Sequence, residues 1–180
     1  VDHSPNVLIS PCDGKVTAFK IDEDTRFSVK NTVYTVSSLL KSKELAAQFH
    51  GGTCVIIRLT VDDYHRYCYV DEGVKGENIY ISGVFHTVNP AAAEHAPIYQ
   101  ENCREYTVID TIHFGRMIHL EVGALLVGKI VNYHGAAYQT HRGEEKGRFE
   151  FGGSTVILLF QKNKVEISPD ILMNSGDDCE

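Results

Sequence analysis

The chain has 180 residues, of which 43% are hydrophobic and 23% charged, a composition typical of a globular protein and not of a disordered or collagen-like chain. Seventeen Lys and Arg against 24 Asp and Glu give a net charge of −7, the wrong sign for a protein that neutralises nucleic-acid phosphates. Apolar runs such as Val156–Phe160 fall far short of the ~18–20 residues of a membrane-spanning helix. We therefore expect neither nucleic-acid binding nor a membrane span.

The N-terminus and the cysteines add two expectations. The chain begins Val1-Asp2-His3 without an initiator Met or a signal-peptide pattern, so we expect a trimmed chain from which an anchor is missing. The cysteines are odd in number and widely spaced, with no C-x-x-C pair: Cys12, Cys54, Cys68, Cys103 and Cys179. This spacing predicts neither a disulfide framework nor a metal site, and it favours a reducing compartment.

Short segments rich in β-branched and aromatic residues, separated by Gly, Asn and Asp, predict a mostly β (α+β) fold. In chain order the predicted strands are Lys15–Lys20, Thr53–Thr60, Arg66–Val70, Asn78–Ile81, Glu105–Thr111, Arg116–Val122, Lys129–Tyr133 and Ser154–Gln161. Helices are predicted for Ser37–Phe49 and Ala91–Glu94. We expect one domain over residues 1–180, with an antiparallel sandwich or barrel-sandwich-hybrid core and a few short helices.

Two segments carry more specific predictions. Residues Arg116–Val122 alternate, which places Ile118 and Leu120 on a buried face and His119 and Glu121 on the other. This alternation predicts a half-buried antiparallel strand. Residues Gln139–Gly147 contain two Gly and four charged side chains, which predicts an exposed loop.

Five motifs depart from what a plain β domain needs, and three of them centre on polar side chains. SPCDGKV, at residues 10–16, contains Asp13 in an Asp-Gly turn, and the turn alone is the simpler interpretation. DDYHR, at residues 62–66, is either a solvated loop or a site in which His65 acts as an acid or base near neutral pH. HTVNP, at residues 86–90, ends a strand, where a residue such as His86 is more often structural.

The other two motifs are rich in glycine. VGALLVG, at residues 122–128, is typical of a tight turn or a close backbone approach. KGRFEFGGST, at residues 146–155, places Gly152 and Gly153 directly before Ser154 at the start of a buried strand. By itself this motif is a hairpin turn. A functional interpretation is a strained peptide bond whose carbonyl faces a nucleophilic hydroxyl.

Taken together and in this order, the five motifs resemble the phosphatidylserine decarboxylase family, over about residues 10–174. Members of that family are proenzymes that cut their own chain at a Gly-Ser bond, here Gly153-Ser154, and the serine becomes an N-terminal pyruvoyl group. The resemblance implies a β chain of residues 1–153 and an α chain of residues 154–180, which has 180 − 153 = 27 residues. It implies no metal and no diffusible cofactor.

The resemblance also implies roles for single residues. In maturation, Ser154 Oγ attacks the carbonyl of Gly153, and a base must take the hydroxyl proton. Asp13 and His65 are the implied orienting group and base, which would form a Ser-His-Asp triad. In decarboxylation, the pyruvoyl ketone accepts the electrons released as carbon dioxide leaves, and His65 or His86 protonates the α-carbon. The implied product is phosphatidylethanolamine.

The chain departs from the family pattern beside the proposed base. Family members usually carry a second His three residues after the first, where this chain has Cys68. Positions 65 and 68 face opposite sides of a regular strand, so His65 can take the base role only if the strand begins after it. His86 is the alternative base.

The implied partners are a phospholipid substrate and the cytoplasmic face of a membrane, which the family contacts peripherally through an N-terminal segment absent from this chain. The implied assembly is an α/β heterodimer, for which a homodimer stays open. Two alternatives remain. One is a decarboxylase of a soluble amino acid or another headgroup, favoured by Cys68 and by a net charge that anionic membranes repel. The other is a non-catalytic lipoyl or phosphocarrier module modified at His65 or His86, which leaves Gly153-Ser154 unexplained.

Overall fold

The computed structural model describes residues 1–30, 32–86, 99–123, 129–150 and 154–174. These residues form short helices and many strands. The strands are β1 (Lys15–Lys20), β2 (Phe27–Val29), β3 (Thr32–Tyr34), β4 (Thr53–Leu59), β5 (Arg66–Cys68), β6 (Gly73–Ile81), β7 (Val84–His86), β8 (Tyr99–Glu101), β9 (Arg104–Thr111), β10 (Gly115–Val122), β11 (Lys129–Asn132), β12 (Tyr138–Thr140), β13 (Glu145–Glu150) and β14 (Ser154–Phe160). The helices are α1 (Val36–Leu40), α2 (Lys43–Ala47) and α3 (Pro169–Asn174).

The described strands pair antiparallel throughout. Seven form the main sheet, in the order β1-β4-β14-β10-β9-β6-β12, and three form a second sheet, in the order β11-β13-β5. The hairpins β2-β3 and β7-β8 are separate. The predicted mostly β, antiparallel fold with a few short helices is confirmed.

Both faces of the main sheet are covered. Hairpin β2-β3 and helices α1 and α2 pack on one face, through residues that include Phe27, Tyr34 and Leu39. The three-stranded sheet packs on the other face, through residues that include Tyr67 and Phe149. All seven residues of β14 are therefore buried. This explains its continuous apolar run, because only a strand exposed on one face needs alternating polar residues.

The helix predicted over Ser37–Phe49 is interrupted. Lys41 adopts left-handed backbone angles, φ 53° and ψ 25°, and ends α1. Ser42 then caps α2, because its side chain accepts a hydrogen bond from the backbone N–H of Leu45. The predicted apolar face survives the break, since both helices pack on the same core. The second predicted helix, Ala91–Glu94, lies outside the described residues.

The exposed loop predicted over Gln139–Gly147 is wrong. Strands β12 and β13 occupy much of this segment, and Thr140, Arg142 and Lys146 are buried. The Arg142 guanidinium binds the Asp71 carboxylate at 2.8 Å and the Ser4 carbonyl oxygen at 2.6 Å. Charged residues usually lie at the surface, but here each buried charge has a partner.

In the described part of the chain, no helix is both long and apolar enough to cross a bilayer.

Candidate active site

Ser154 is the first residue of β14, at the end of the main sheet where the motifs converge. It pairs with Leu59 of β4, and the following Thr155 pairs with Val122 of β10. The side chain of Ser154 is on the face of the sheet that carries Val156 and Leu158. Ser154 is only 1% exposed, and its Oγ has no hydrogen-bond partner within the described residues. A buried hydroxyl without a partner is costly, so this position calls for an explanation other than stability.

Asp13 lies in an exposed loop that is tied to the same end of the sheet. The backbone N–H of Cys68 donates to the Pro11 carbonyl at 2.8 Å. Gly14 has a φ of +141°, and a Cβ at this position would lie 2.7 Å from the backbone oxygen of Arg58. Only glycine fits there, so the Asp-Gly turn packs its backbone against the end of β4.

His65 lies in the loop between β4 and β5 and is half-buried. Its Nδ1 is 2.8 Å from the Asp63 carbonyl oxygen. An Nδ1–H that donates to this carbonyl leaves Nε2 as the proton acceptor, which is the tautomer a general base requires. Because β5 begins at Arg66, His65 precedes the strand and is not constrained by its alternation.

The DDYHR loop is held in place by its second aspartate. Asp63 Oδ2 accepts hydrogen bonds from the backbone N–H of Thr60 at 2.6 Å and from the Thr60 hydroxyl at 2.9 Å. The Thr60 hydrogen bonds lower the pKa of Asp63, with the nearby His65 contributing in the same direction. The backbone carbonyl of His65 accepts from the N–H of Phe149 at 2.9 Å, which ties the loop to β13.

A cleft of about 250 Å³ joins two of the motifs. Its lining includes Cys12 and Asp13 from the first motif, and Tyr64, Arg66 and Cys68 from the second motif and the strand that follows it. The structure therefore brings the Asp-Gly loop and the DDYHR loop together. No hydrogen bond links Asp13, His65 and Ser154 directly within the described residues, so their predicted triad stays a prediction.

Cys68 and His86 bear on the choice of base. Burial raises the pKa of the Cys68 thiol, and a thiol that keeps its proton at neutral pH is a poor proton acceptor. Cys68 is therefore unsuited to the role of the histidine that family members usually have there. His86 ends β7 and pairs with Tyr99. The remainder of its motif, residues 87–90, lies outside the described part of the chain, as do residues 124–128 and Gly152-Gly153.

A buried polar network lies on the Ser154 face of the sheet, two strand positions away. Glu121 of β10 pairs with Val156 and is fully buried. Its Oε1 lies 2.7 Å from His119 Nδ1 and accepts from Lys146 Nζ at 2.6 Å. Lys146 also donates to Asn132 Oδ1 at 2.6 Å. We call Glu121, His119, Lys146 and Asn132 the Glu121 network.

The Glu121 network corrects the prediction that β10 is half-buried. The predicted strand and its antiparallel pairing are present, but His119 and Glu121 are 0% exposed because the three-stranded sheet covers their face. The ring of Tyr67, from β5, lies 5.8 Å from that of His119. Only one feature of the sequence indicates this burial: charged residues interrupt strands that are otherwise apolar.

We expect the Glu121 network to make stability depend on pH. Burial lowers the pKa of His119, and the hydrogen bond that its ring donates to the Glu121 carboxylate offsets this only in part. The unfolded chain, in which histidine has a pKa near 6.5, then binds the proton more readily than the folded chain. The free energy of unfolding should therefore decrease as the pH falls through about 6.5.

Urea unfolding of the wild type and of His119→Phe between about pH 5.5 and 7.5 measures this dependence. The variant should show the shallower slope of unfolding free energy against pH. His50→Gln, a change at an exposed histidine, should keep the wild-type slope. Equal slopes for His119→Phe and the wild type would contradict the assignment.

One cluster in the described chain has the residue types of a metal site. Single ligand atoms of Asp71, Glu72 and His113 lie within 4.8 Å of one another. Asp71, however, already accepts from Arg142 and faces His113 Nδ1, both at 2.8 Å. A cation would have to displace the guanidinium, so the cluster is a closed charge network and gives no support to a metal site.

The fold and the site together define a β-sandwich protein with a buried serine at the start of a strand. The Asp-Gly loop and the DDYHR loop lie at the same end of the sheet. The family model described as phosphatidylserine decarboxylase matches residues 1–179. The chain belongs to the phosphatidylserine decarboxylase family.

Curated relatives agree with this assignment. The chain is 47% identical over 165 residues to phosphatidylserine decarboxylase proenzyme 2 of Clostridium acetobutylicum, covering 92% of this chain and 56% of the relative. It is 45% identical over 173 residues to the phosphatidylserine decarboxylase proenzyme of Clostridium tetani, covering 95% and 58%. For the Clostridium novyi proenzyme the identity is 41% over 179 residues, with 97% and 61% covered. The chain thus spans somewhat over half the length of these relatives.

Proposed function

We propose that this chain is a self-cleaving, pyruvoyl-dependent decarboxylase that converts phosphatidylserine to phosphatidylethanolamine and carbon dioxide. The observation that carries the proposal is Ser154, a buried hydroxyl without a hydrogen-bond partner in the described chain, placed where the family motifs end. The family membership and the word proenzyme in the names of the relatives support it.

Maturation requires the Ser154 hydroxyl as a nucleophile. Oγ forms an ester with the Gly153 carbonyl carbon while the peptide C–N bond breaks and the hydroxyl proton passes through a base to the freed amine. Elimination then removes the Cα proton of residue 154 to a base, breaks the Cβ–Oγ bond and releases the β chain with Gly153 as its C-terminal carboxylate. Hydrolysis of the remaining dehydroalanine releases ammonia and leaves the pyruvoyl group at position 154. The burial of Ser154 supports this chemistry because water competes poorly for such a site.

The base and its orienting group are proposed from the two loops at this end of the sheet. His65 is favoured because its Nδ1 is engaged by a carbonyl and its Nε2 is left as an acceptor. Asp13 is the candidate orienting carboxylate, which would have to replace the Asp63 carbonyl at His65 Nδ1. His86 is the alternative base. His65→Gln and His86→Gln, compared for chain cleavage on a denaturing gel, identify the base as the residue whose variant stays uncut. Cleavage of both at the wild-type rate would exclude both.

The pyruvoyl ketone supplies an electron sink when carbon dioxide leaves the substrate. The chain's own residues must exclude water and return a proton to the α-carbon. His65 and His86 are the candidates for this second proton transfer, because imidazole exchanges protons near neutral pH.

We propose further that the cut pieces stay together as one domain. The α chain, residues 154–180, would begin with β14, which pairs with β4 on one side and β10 on the other. Breaking one peptide bond removes none of these strand contacts, and this supports an α/β heterodimer. A homodimer of such pairs and peripheral contact with the cytoplasmic face of a membrane complete the proposal.

Carbon dioxide release tests the proposed reaction. The purified chain should release carbon dioxide from phosphatidylserine vesicles and not from free serine or aromatic amino acids. Release from the soluble amino acids alone would favour the alternative decarboxylase. Release from none, together with a phosphohistidine at His65 or His86, would favour a phosphocarrier.

A further inference from the structure

Two cysteines line the cleft that joins the Asp-Gly loop to the DDYHR loop. Cys12 directly precedes Asp13 in the first loop, and Cys68 is the last residue of β5. Both line the cleft of about 250 Å³, and both are partly exposed, whereas Cys54 is buried. A small molecule that enters the cleft can therefore reach Cys12 and Cys68 together.

The backbones that carry these two cysteines are hydrogen-bonded to each other. The N–H of Cys68 donates to the Pro11 carbonyl oxygen at 2.8 Å. Because Pro11 directly precedes Cys12, standard bond lengths place the Cα atoms of Cys12 and Cys68 no more than about 7 Å apart. Disulfides span Cα separations of ~4.4–6.8 Å. The two residues can thus be joined with little movement of the backbone.

The turn that carries Cys12 is also held by polar contacts. The Cys68 thiol donates to the Ser10 carbonyl oxygen, with an Sγ-to-oxygen distance of 3.9 Å. The Ser10 hydroxyl in turn donates to the Cys12 carbonyl oxygen at 2.7 Å. The Cys68 side chain therefore lies over the same turn that carries Cys12. Since these contacts already order the turn, joining the thiols costs little further conformational entropy.

The environment of the two thiols bears on how they react. Burial raises the pKa of Cys12 to about 12, and the nearby Cys68 contributes to the increase. Burial also raises the pKa of Cys68. Oxidation should therefore be slow at neutral pH, because the thiolate is the nucleophile in disulfide exchange. The reduced pair, however, gains no stability from a thiolate, and this favours the disulfide once it has formed.

The two thiols do not suit a metal ion. A structural zinc site has four ligands. In the described chain, no third ligand atom from Cys, His, Asp or Glu groups with these two sulfur atoms. Formation of a disulfide, in contrast, needs only the two thiols and an oxidant.

We propose that Cys12 and Cys68 form a reversible disulfide with a low-molecular-weight disulfide, such as oxidised glutathione, as the oxidant. One cysteine thiolate attacks a sulfur of the oxidant, which releases one small thiol and leaves a mixed disulfide. The other cysteine thiolate attacks the protein sulfur of that mixed disulfide and releases the second small thiol. The two cysteine protons pass to the departing thiolates. The cysteines are thereby oxidised, and the small disulfide is reduced.

The bond makes the position of the Asp-Gly loop depend on the redox state. It joins the loop that carries Asp13 to the strand that follows His65. In a reducing compartment such a bond forms only under oxidising conditions, which is the behaviour of a redox-responsive pair. Both cysteines precede residue 153 in the sequence, so the bond forms whether or not Gly153-Ser154 is cut. Its presence or absence is thus independent of the proposed decarboxylation.

Incubation of the purified chain with oxidised glutathione at about pH 8, where more thiolate is present than at neutral pH, tests the proposal. Alkylation of the unfolded products counts the free thiols, and peptide mass mapping identifies the linked residues. We expect two of the five thiols to be lost and a peptide in which Cys12 is joined to Cys68. Dithiothreitol should restore both thiols.

Serine variants separate this pair from general thiol reactivity. In Cys12→Ser and in Cys68→Ser, the remaining partner should keep its thiol or carry a glutathione, without a bond to another cysteine of the chain. Cys103→Ser changes another partly exposed cysteine and, as the matched control, should form the same bond as the wild type. A wild type that keeps all five thiols, carries only glutathione or links a different pair would overturn the proposal.

Urea unfolding of the oxidised and reduced wild type needs no variant. Because the bond closes the long loop from Cys12 to Cys68, the oxidised form should unfold at a higher urea concentration. Dithiothreitol should return the midpoint to that of the reduced form. A midpoint that is unchanged or lower after oxidation would show that the bond strains the native loop, and it would contradict the fit of these two residues.

Discussion

Ser154→Ala should remain a single 180-residue chain under conditions in which the wild type separates into pieces of 153 and 27 residues. The variant keeps the strand and loses only the hydroxyl, so no ester with Gly153 can form. The replaced hydroxyl has no hydrogen-bond partner within the described residues, so its removal should not destabilise the fold. Intact mass measured over time gives the result, and we expect complete loss of cleavage.

Thr155→Val is the matched control for this experiment. Thr155 is also buried and lies next to Ser154, but its side chain is on the opposite face of the sheet. The Thr155→Val variant should still be cleaved, since valine keeps the shape of the threonine side chain and preserves the strand. Cleavage of Ser154→Ala, or an uncut Thr155→Val at wild-type stability, would show that the nucleophile has been misassigned.

Lys146→Met should lower the free energy of unfolding by about 3–5 kcal/mol, the cost of leaving a buried charge without its partner. Lys146 and Glu121 are both 0% exposed and 2.6 Å apart. Burial alone would raise the pKa of Glu121, and Lys146 and His119 together hold it below its usual value. Without Lys146, the fold must either bury an uncompensated carboxylate or take up a proton. Urea unfolding at pH 7 measures the loss.

Two further variants separate the charge effect from lost packing. Lys129→Met removes a lysine that is 70% exposed and paired with Glu150 on the same sheet, and it should change stability by less than about 1 kcal/mol. Adding Glu121→Gln to Lys146→Met removes the orphaned charge, and the double variant should be more stable than Lys146→Met alone. A double variant that is less stable would assign the loss to packing.

The strands that were predictable are those whose burial dictates their composition. Segments such as Thr53–Thr60 and Ser154–Gln161 agree with β4 and β14 within one residue, because buried strands must be apolar. The charged segment Gln139–Gly147 was wrongly predicted to be an exposed loop, because charged residues usually lie at the surface. Lys146 can be buried because its charge is paired with Glu121, which lies 25 residues earlier in the chain. A local pattern cannot reveal a partner at that separation.

The candidate site was partly predictable. Motif order predicted roles for Asp13, His65 and Ser154, and their loops and strand lie at one end of the sheet. The contact between the Asp-Gly loop and β5, through the Cys68 N–H and the Pro11 carbonyl, was not predicted. It joins residues far apart in the chain, so only the tertiary structure contains it.

The most direct test of the proposed function is the mass and N-terminal chemistry of the smaller chain, measured on wild type incubated until cleavage stops. We predict a 27-residue chain that is lighter by one ammonia than the fragment made by simple hydrolysis, has a blocked N-terminus, and is labelled by borohydride in the presence of phosphatidylserine. A chain that stays whole, or a small fragment that begins with a free Ser154 amine, would contradict a pyruvoyl-dependent decarboxylase.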